Sequence, residues 1–485
     1  MIKYVFKTEP YSHQREVLKK CWNAKNYAWF MEMGTGKSKV CIDNAATLFE
    51  NGFIDALVIT APKGVYRNWA EQEIPTHMPD RIANKIMVWK PTTSKKIIKQ
   101  REDFLEKSEE LRIFLINIEA LSTKKGCVYL QKLLMRSRAM LAIDESTTIK
   151  QPTAKRTKNL IKLSEFAVYR RILTGFPITK SPLDLWAQVR FLSKNLLGDV
   201  GDSFHKFQYR YAVVVRRHLQ SHSFQDVVGF KNLKQLNSML KHFSSRVLKE
   251  ECLDLPEKIY QVREVAMSAE QIRVYEEIRK YCVSHLDDQE FMTTRNVMTQ
   301  LLRLQQILSG HFKSDSGEII EIADNRIEEL MSVLQEVQGK TIIWSRFRHD
   351  VIRIYERLIK DFGKGSAVNY FGDTTDEERS SAIEKFQNGD AQFFVGNPQT
   401  GGMGITLNKA QNVIYFANSF DLAVRTQSED RAHRIGQKNN VTYIDFVCKG
   451  TVDEQIVKAL KNKMDIATEV MGEKLKIWLN NGVKN

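Results

Sequence analysis

Two blocks of the chain contain short, continuous runs of apolar residues that end in small or polar residues. Runs of this kind are typical of buried parallel strands, whose carboxyl ends carry the functional groups of α/β proteins. In the first block the runs are 55–62, 113–118, 140–144 and 171–175, and in the second they are 340–345, 392–396, 412–416 and 442–447. The pattern therefore predicts an α/β protein with two lobes, each built on a parallel sheet.

Between the two blocks, from residue 196 to residue 325, the strand signals fade and amphipathic helical patterns such as 270–278 and 297–304 take over. We expect this segment to be mostly helical. The predicted organisation is an N-terminal lobe at 1–195, a helical insertion at 196–325, a C-terminal lobe at 326–465 and a helical tail at 466–485.

Composition places the chain among soluble globular proteins. Of its 485 residues, 42% are hydrophobic and 27% are charged, and no apolar run is long enough to span a bilayer. The first residues lack the apolar core and cleavage site of a secretory signal, which favours a reducing compartment, the cytoplasm or a eukaryotic nucleus. The cysteines are scattered singly, so neither a disulfide framework nor a zinc site is indicated.

The formal net charge of +15 and the pI near 9.3 favour a polyanionic partner, of which nucleic acid is the common soluble one. A basic but merely well-solvated surface would give the same count. Charge alone therefore leaves both interpretations open.

A candidate phosphate-binding loop, MEMGTGKS, occupies residues 31–38 between an apolar stretch and a helix-compatible run. The glycine that usually opens this pattern is replaced by Met31, but the glycines nearest the lysine can turn several backbone N–H groups toward one anion. Lys37 would reach the β- and γ-phosphates, and the Ser38 hydroxyl would bind magnesium. A glycine-rich helix entry is the alternative. The expected nucleotide contacts are Met33, Gly34, Thr35, Gly36, Lys37, Ser38 and Lys39.

An acid pair follows a second apolar strand, in the sequence LAIDEST at 141–147. Because the chain turns at the end of a strand, both carboxylates can approach one ion. Asp144 would hold magnesium and Glu145 would polarise the attacking water. An isolated Asp-Glu pair is more often a solvated turn, but its position downstream of Lys37 favours a nucleotide hydrolase.

A third candidate element is QSEDRAHRIGQ at 427–437. Phosphate-loop hydrolases commonly stabilise the transition state with an arginine finger. Arg431 and Arg434, three residues apart on one predicted helical face, are the candidates for this role. Taken alone, they would be read as surface charges.

The ordered set MEMGTGKS, IDES, LTGFP, IIWSRF, TGGMGITL and QSEDRAHRIGQ resembles superfamily-two helicase-type ATPases, specifically the Swi/Snf-related DNA translocases. The resemblance extends from residue 11 to about residue 455, and members of that family routinely replace the first glycine of the loop. It implies two RecA-like lobes with a helical insertion between them. It also implies ATP and Mg²⁺ as cofactors, and double-stranded DNA, held mainly through its phosphates, as the partner.

The resemblance assigns further roles residue by residue. Three places depart from the family pattern: Phe176 interrupts a Thr-Gly-Thr-Pro element, Thr179-Lys180 replaces the usual Gln-Asn, and Thr147 stands where the family prefers histidine. The implied roles are adenine recognition by Gln14, a nucleotide contact by Gly404, DNA contacts by Lys63, Lys150, Thr400 and Gly401, and coupling of hydrolysis to movement by Thr174 and Gln427.

The sequence thus predicts a monomeric, ATP-driven translocase on double-stranded DNA, with no membrane partner. Its central helical segment is a candidate surface for DNA or for a protein partner. Two alternatives stay open: a strand-separating helicase on DNA or RNA, and a nucleotide-gated binding protein that does not hydrolyse ATP.

Overall fold

The structure, a computed structural model, describes residues 4–62, 65–92, 94–219, 222–253, 255–287, 294–314, 317–401 and 405–471. The chain divides into two compact units. The first consists mainly of Met1–Val214 and Val227–Asp254, and the second mainly of Leu255–Asp465. Within the described ranges, no helix is both long enough and apolar enough to cross a membrane.

Helices and strands are numbered in chain order. The strands are β1 (Asn26–Met31), β2 (Ala56–Ala61), β3 (Asn84–Val88), β4 (Leu111–Asn117), β5 (Ala139–Asp144), β6 (Tyr169–Leu173), β7 (Ala212–Leu219), β8 (His222–Phe230), β9 (Ser244–Val247), β10 (Lys258–Glu264), β11 (His311–Lys313), β12 (Ile319–Glu321), β13 (Lys340–Ser345), β14 (Ala367–Tyr370), β15 (Phe393–Gly396), β16 (Ala410–Ala417) and β17 (Val441–Val447). The helices are α1 (Ser12–Cys21), α2 (Lys37–Glu50), α3 (Tyr66–Asn68), α4 (Ile74–His77), α5 (Lys95–Leu105), α6 (Lys124–Met135), α7 (Lys155–Ser164), α8 (Leu185–Leu192), α9 (Phe204–Tyr211), α10 (Leu233–Lys241), α11 (Lys249–Cys252), α12 (Ala269–Asp287), α13 (Thr294–Leu308), α14 (Arg326–Glu336), α15 (Arg348–Phe362), α16 (Asp376–Gln387), α17 (Pro398–Gly401), α18 (Leu422–Ala432) and α19 (Val452–Met471).

Among the described residues of the first unit, seven strands form one sheet in the order β3-β4-β2-β5-β6-β1-β9, with every neighbouring pair parallel. Both faces of the sheet are covered. Along β2, Val58 packs into the core on one face while Leu57 and Ile59 pack into the core on the other. Burial on both faces is the reason why these strands appear as continuous apolar runs.

The described part of the second unit contains a six-stranded sheet in the order β10-β17-β16-β13-β15-β14, again with parallel pairs throughout. Its two faces carry separate hydrophobic cores. All eight apolar runs of the sequence correspond to strands of the two sheets. The predicted class, an α/β protein with two parallel-sheet, RecA-like lobes, is confirmed.

The segment 196–325 is less helical than the sequence predicted. It contains α9 to α13, but also β7 to β12. β9 extends the first sheet beside β1 and β10 extends the second beside β17, while β7–β8 and β11–β12 form two small sheets of their own. β9 and β10 are sheet-edge strands that alternate between more and less buried residues, so they lack the continuous apolar run that identifies a central strand. The domain boundaries at 195 and 326 stay predictions.

The sheet of the first unit determines where its functional groups meet. Because β1, β5, β6 and β9 are parallel, their carboxyl ends lie at the same edge. The segments that follow these four strands are therefore neighbours, although β9 lies more than two hundred residues after β1 in the chain.

Candidate functional site

The loop between β1 and α2 has the backbone of a phosphate cradle. Gly34 and Gly36 have φ angles of +83° and +85°, in the left-handed region that favours glycine. A Cβ at Gly36 would lie 2.1 Å from the Gln14 Nε2 atom, so a side chain at this position would displace Gln14. The loop leads directly into the first turn of α2, whose unpaired N–H groups favour an anion.

Met31 explains why the loop tolerates the loss of its first glycine. The residue ends β1, and its side chain is fully buried in the core on one face of the sheet. The Met31 side chain therefore belongs to the core rather than to the loop. Its carbonyl oxygen instead accepts a hydrogen bond from the Lys37 ammonium at 3.0 Å, and the Glu32 carbonyl accepts another at 3.3 Å. These bonds hold the lysine charge within the loop.

Gln14 supports the loop from α1. Its side chain is buried, and its Nε2 donates to the Thr35 carbonyl at 3.1 Å. Its Oε1 accepts from the Tyr11 N–H at 3.1 Å, and the His13 ring bonds the same Thr35 carbonyl at 2.9 Å. The first turn of α1 is thus tied to the phosphate loop. Recognition of adenine by Gln14 stays a prediction.

The acid pair stands at the end of β5. Asp144 is buried, its Oδ2 accepts from the Trp69 indole N–H at 2.9 Å, and its Oδ1 accepts from the Glu145 N–H at 3.0 Å. Burial raises the pKa of Asp144 above its ordinary value, although Trp69 and the charge of Lys37 favour the ionised form. A divalent cation beside this carboxylate would stabilise its charge further.

Glu145 leaves the strand through a left-handed backbone conformation, with φ 51° and ψ 62°. This conformation costs a non-glycine residue about 1–2 kcal/mol. The Thr174 hydroxyl, just after β6, donates to Glu145 Oε2 at 3.4 Å. Backbone strain of this kind is common at functional sites, where a side chain must be placed against the local preference.

The segment after β6 touches the phosphate loop as well as Glu145. A Cβ at Gly175 would lie 3.3 Å from both the Glu32 Cα and the Met33 nitrogen. Thr174 and Gly175 therefore contact the proposed water-activating residue and the proposed phosphate cradle at once. This placement suits the coupling role expected of Thr174, and that role stays a prediction.

Two contributors to this site were missed from the sequence. The sequence assigned no role in this site to Trp69, yet its indole N–H donates to Asp144. Arg246, on β9, donates to the Phe30 carbonyl at 3.1 Å and to the Gly175 carbonyl at 2.7 Å, and its Nη2 lies 3.7 Å from Glu32 Oε1. Arg246 lies within the short edge strand β9, and nothing in the sequence connects it with a loop more than two hundred residues upstream.

Two predicted nucleotide contacts of α2 have different surroundings. Ser38 lies partly exposed in the first turn. The Lys39 ammonium instead binds the Asp43 carboxylate at 2.9 Å and the Thr8 carbonyl at 2.8 Å, in a buried position. A nucleotide contact by Lys39 would therefore come from its backbone.

In the second unit, Arg431 and Arg434 converge on one carbonyl. Arg431, 2% exposed, donates to the Ile405 oxygen at 3.1 Å. Arg434 donates to the same oxygen at 3.4 Å and to the Thr406 hydroxyl at 2.8 Å. The expectation that both lie on one helical face is wrong, because α18 ends at Ala432 and His433 has a non-helical ψ of 84°. Gln427 lies on α18, partly exposed.

The RIGQ sequence forms the turn that follows α18. The buried Gln437 donates to the carbonyls of Ala410 at 2.8 Å and Ala432 at 3.2 Å, and its Oε1 accepts from two following backbone N–H groups. Gly436 has a φ of +92°, and a Cβ there would lie 2.6 Å from Asn408 Nδ2. The turn therefore requires glycine at position 436 and a glutamine side chain at position 437.

A buried network of charged residues anchors α18 to β10 and β17. Glu429 accepts from Arg425 at 2.8 Å, from Lys258 at 3.1 Å and from the Tyr260 hydroxyl at 2.8 Å. Burial opposes ionisation of Glu429, but Lys258 and Arg425 outweigh it and hold its pKa below the ordinary value. Arg425 also binds Asp445, so the helix that carries Arg431 is anchored to β17.

The predicted DNA contacts are described only in part. Lys63, a predicted DNA contact, and Gly404, a predicted nucleotide contact, lie outside the described residues. Lys150 donates to the Thr179 hydroxyl at 2.6 Å and is partly buried. Thr400 and Gly401 end the short helix α17. Their roles stay predictions.

Each of the two α/β units is built on a sheet of parallel strands, and the first carries a phosphate-loop sequence and an acid pair at its strand ends. This combination defines the class of helicase-like ATPases. The model of the SNF2-related domain matches residues 13–312, and that of the helicase conserved C-terminal domain matches residues 324–436. The chain belongs to the SNF2-related family.

Named relatives share a quarter or slightly more of their aligned residues with this chain. The CHD3-type chromatin-remodeling factor PICKLE of Arabidopsis thaliana is 26% identical over 476 residues, which cover 91% of this chain and 32% of that protein. The transcription regulatory protein SNF2 of Saccharomyces cerevisiae is 26% identical over 367 residues, covering 70% and 21%. An uncharacterized ATP-dependent helicase of Mycoplasma pneumoniae is 28% identical over 352 residues, covering 70% and 32%. The chain spans less than half the length of each relative.

A solved structure of the Sulfolobus solfataricus SWI2/SNF2 ATPase core in complex with dsDNA aligns with 98% of this chain and 99% of that one, at 21% identity and a TM-score of 0.43. The family assignment rests on the domain matches.

Proposed function

We propose that the chain is an ATP-driven translocase on double-stranded DNA. The observation that carries the proposal is the placement of Lys37, Asp144 and Glu145 at carboxyl ends of one parallel sheet, close enough for Lys37 to influence the pKa of Asp144. These are the groups needed to bind a triphosphate with its metal and to activate a water molecule.

The donor set fits Mg²⁺. Ser38 offers a hydroxyl and Asp144 a carboxylate, and this ion prefers one or two hard oxygen ligands from the protein together with water and phosphate oxygens. Bound there, Mg²⁺ would neutralise charge on the phosphates. Lys37 supplies a second positive charge, and the backbone amides around Gly34 and Gly36 supply hydrogen bonds.

Glu145 acts as the base in the proposed reaction. It accepts a proton from water, whose oxygen forms a bond to the γ-phosphorus while the bond to the β–γ bridging oxygen breaks, giving ADP and phosphate. Arg431 and Arg434 stabilise the developing negative charge. Thr174, in contact with Glu145, and Gln427 couple the chemistry to movement.

Translocation follows from alternating grip on a phosphate backbone during this cycle. The net charge of +15 supports a polyanionic partner, and contacts by Lys63, Lys150, Thr400 and Gly401 to phosphates would be independent of base sequence. Binding is therefore expected to weaken with salt and to show little sequence preference.

The test is ATP hydrolysis by the full chain with duplex DNA, single-stranded DNA or RNA. We expect duplex DNA to stimulate hydrolysis most. Lys37→Ala should abolish turnover, whereas Lys20→Ala, an exposed lysine on α1, should not. Stimulation by RNA above DNA would refute the proposal.

A second assay separates translocation from strand separation. A translocase on duplex DNA displaces the third strand of a triplex without opening a forked duplex, whereas a strand-separating helicase opens the fork. Nucleotide binding without hydrolysis under any of these conditions would identify a nucleotide-gated binding protein instead.

A further inference from the structure

A second lysine lies against the phosphate loop. Lys249 begins α11, directly after β9, and only 5% of it is exposed. A Cβ on Gly34, in the middle of the loop, would lie 3.8 Å from the Lys249 Cε atom. The Lys249 side chain therefore packs on the part of the loop where glycine leaves room, on the same sheet edge as Lys37.

Glu32 of the loop holds Lys249 in this position. The Glu32 carboxylate accepts the Lys249 backbone N–H at 2.9 Å, and the Glu32 backbone N–H donates to the Val247 carbonyl at 3.0 Å. Pairing of β1 with β9 brings Met31 opposite Val247. The register of β1 and β9 and the Glu32 carboxylate thus fix the backbone position of Lys249 beside the phosphate loop.

We propose that Lys249 is a second phosphate-binding cation of the nucleotide site, and that Glu32 is its positioning residue. The inference rests on the proposed function, because it requires the loop to bind a nucleoside polyphosphate. A bound phosphate chain carries several negative charges, and in a partly buried site a nearby ammonium attracts them much more strongly than in bulk water. The attraction should grow with the number of phosphates.

The experiment measures the dissociation constants of AMP, ADP and ATP for the full chain, in the presence of Mg²⁺. Lys249→Met removes the charge and keeps most of the side-chain length. We expect ATP binding to weaken by about ten- to hundred-fold, ADP binding less, and AMP binding least. The difference in the ATP dissociation constant between the variant and the native protein should become smaller as the salt concentration increases.

Two further variants sharpen the comparison. Lys249→Arg keeps the charge and should recover most of the ATP affinity. Lys241→Met, an exposed lysine at the end of α10 in the same unit, should bind all three nucleotides like the native protein. If Lys249→Met does not fold, Lys249→Gln replaces it.

Several outcomes overturn the inference. Unchanged ATP affinity in a folded Lys249→Met protein would do so. So would an equal loss for AMP, ADP and ATP together with a lower melting temperature of the nucleotide-free protein, which is the signature of a merely structural lysine. In both cases the proposed function still stands as long as the native protein binds ATP. If the native protein binds no nucleotide, the proposed function itself is refuted.

Discussion

Replacing Trp69 with phenylalanine should move the acid limb of the ATPase pH profile to higher pH. The indole N–H of Trp69 donates to Asp144 Oδ2 at 2.9 Å, in a site where burial already raises the pKa of Asp144. Phenylalanine keeps the aromatic ring but cannot donate. Because the lost hydrogen bond favours the ionised carboxylate, its removal raises the pKa of Asp144 further.

The size of the shift follows from the energy of one hydrogen bond to a charged group, about 1.5–3 kcal/mol. One pKa unit corresponds to about 1.4 kcal/mol, so the expected shift is about one to two units. The proposed function needs Asp144 ionised to hold the metal. The pH dependence of kcat/KM reports groups of the free enzyme, and its acid limb is therefore the quantity to measure.

The control is Trp89→Phe, a buried tryptophan of the same unit that packs on Phe114 and Tyr129. It removes a similar volume but should leave the acid limb in place. Thermal melting of both variants confirms that they fold. An acid limb that does not move in folded Trp69→Phe, or that moves equally in the control, would refute the assigned contact between Trp69 and Asp144.

Three other perturbations have predictable outcomes. Gly36→Ala should weaken ATP binding about tenfold or more, because a left-handed conformation costs alanine about 1–2 kcal/mol and the new methyl group meets Gln14. The control is Gly52→Ala, which should bind ATP normally, because Gly52 also has a positive φ, +70°, but has nothing within 4 Å of an added Cβ. Glu429→Gln should lower the free energy of unfolding at neutral pH by about 1–3 kcal/mol. Because the folded-state pKa of Glu429 is depressed, its contribution to stability is present above the ordinary value of 4.5 and is lost as the pH falls through the folded-state pKa. The free energies of unfolding of native and variant protein, measured in urea, should therefore converge at that low pH. Gln437→Leu should lower the melting temperature through two unsatisfied carbonyls, and an unchanged temperature would contradict the role given to the turn.

The central strands and the phosphate loop were predictable because their signals are local. A strand buried on both faces must be apolar throughout, so β2, β4, β5 and β6 appear directly in the residue pattern. The loop requires small residues at fixed spacing, and Gly34 and Gly36 do adopt left-handed conformations. The edge strands β9 and β10 are exposed on more of their surface, and their sequences, SSRV and KIYQVRE, contain neither a continuous apolar run nor a regular alternation of apolar and polar residues.

The sequence by itself determined the α/β class, the order of the motifs and the residue types available for phosphate chemistry, since each depends on neighbours along the chain. Only the tertiary structure decided which distant groups join them. Trp69 reaches Asp144 across 75 positions, and the Lys249 backbone reaches Glu32 across 217, because parallel pairing collects strand ends at one edge regardless of their separation in the chain. No local pattern records that pairing, which depends on how the whole sheet assembles.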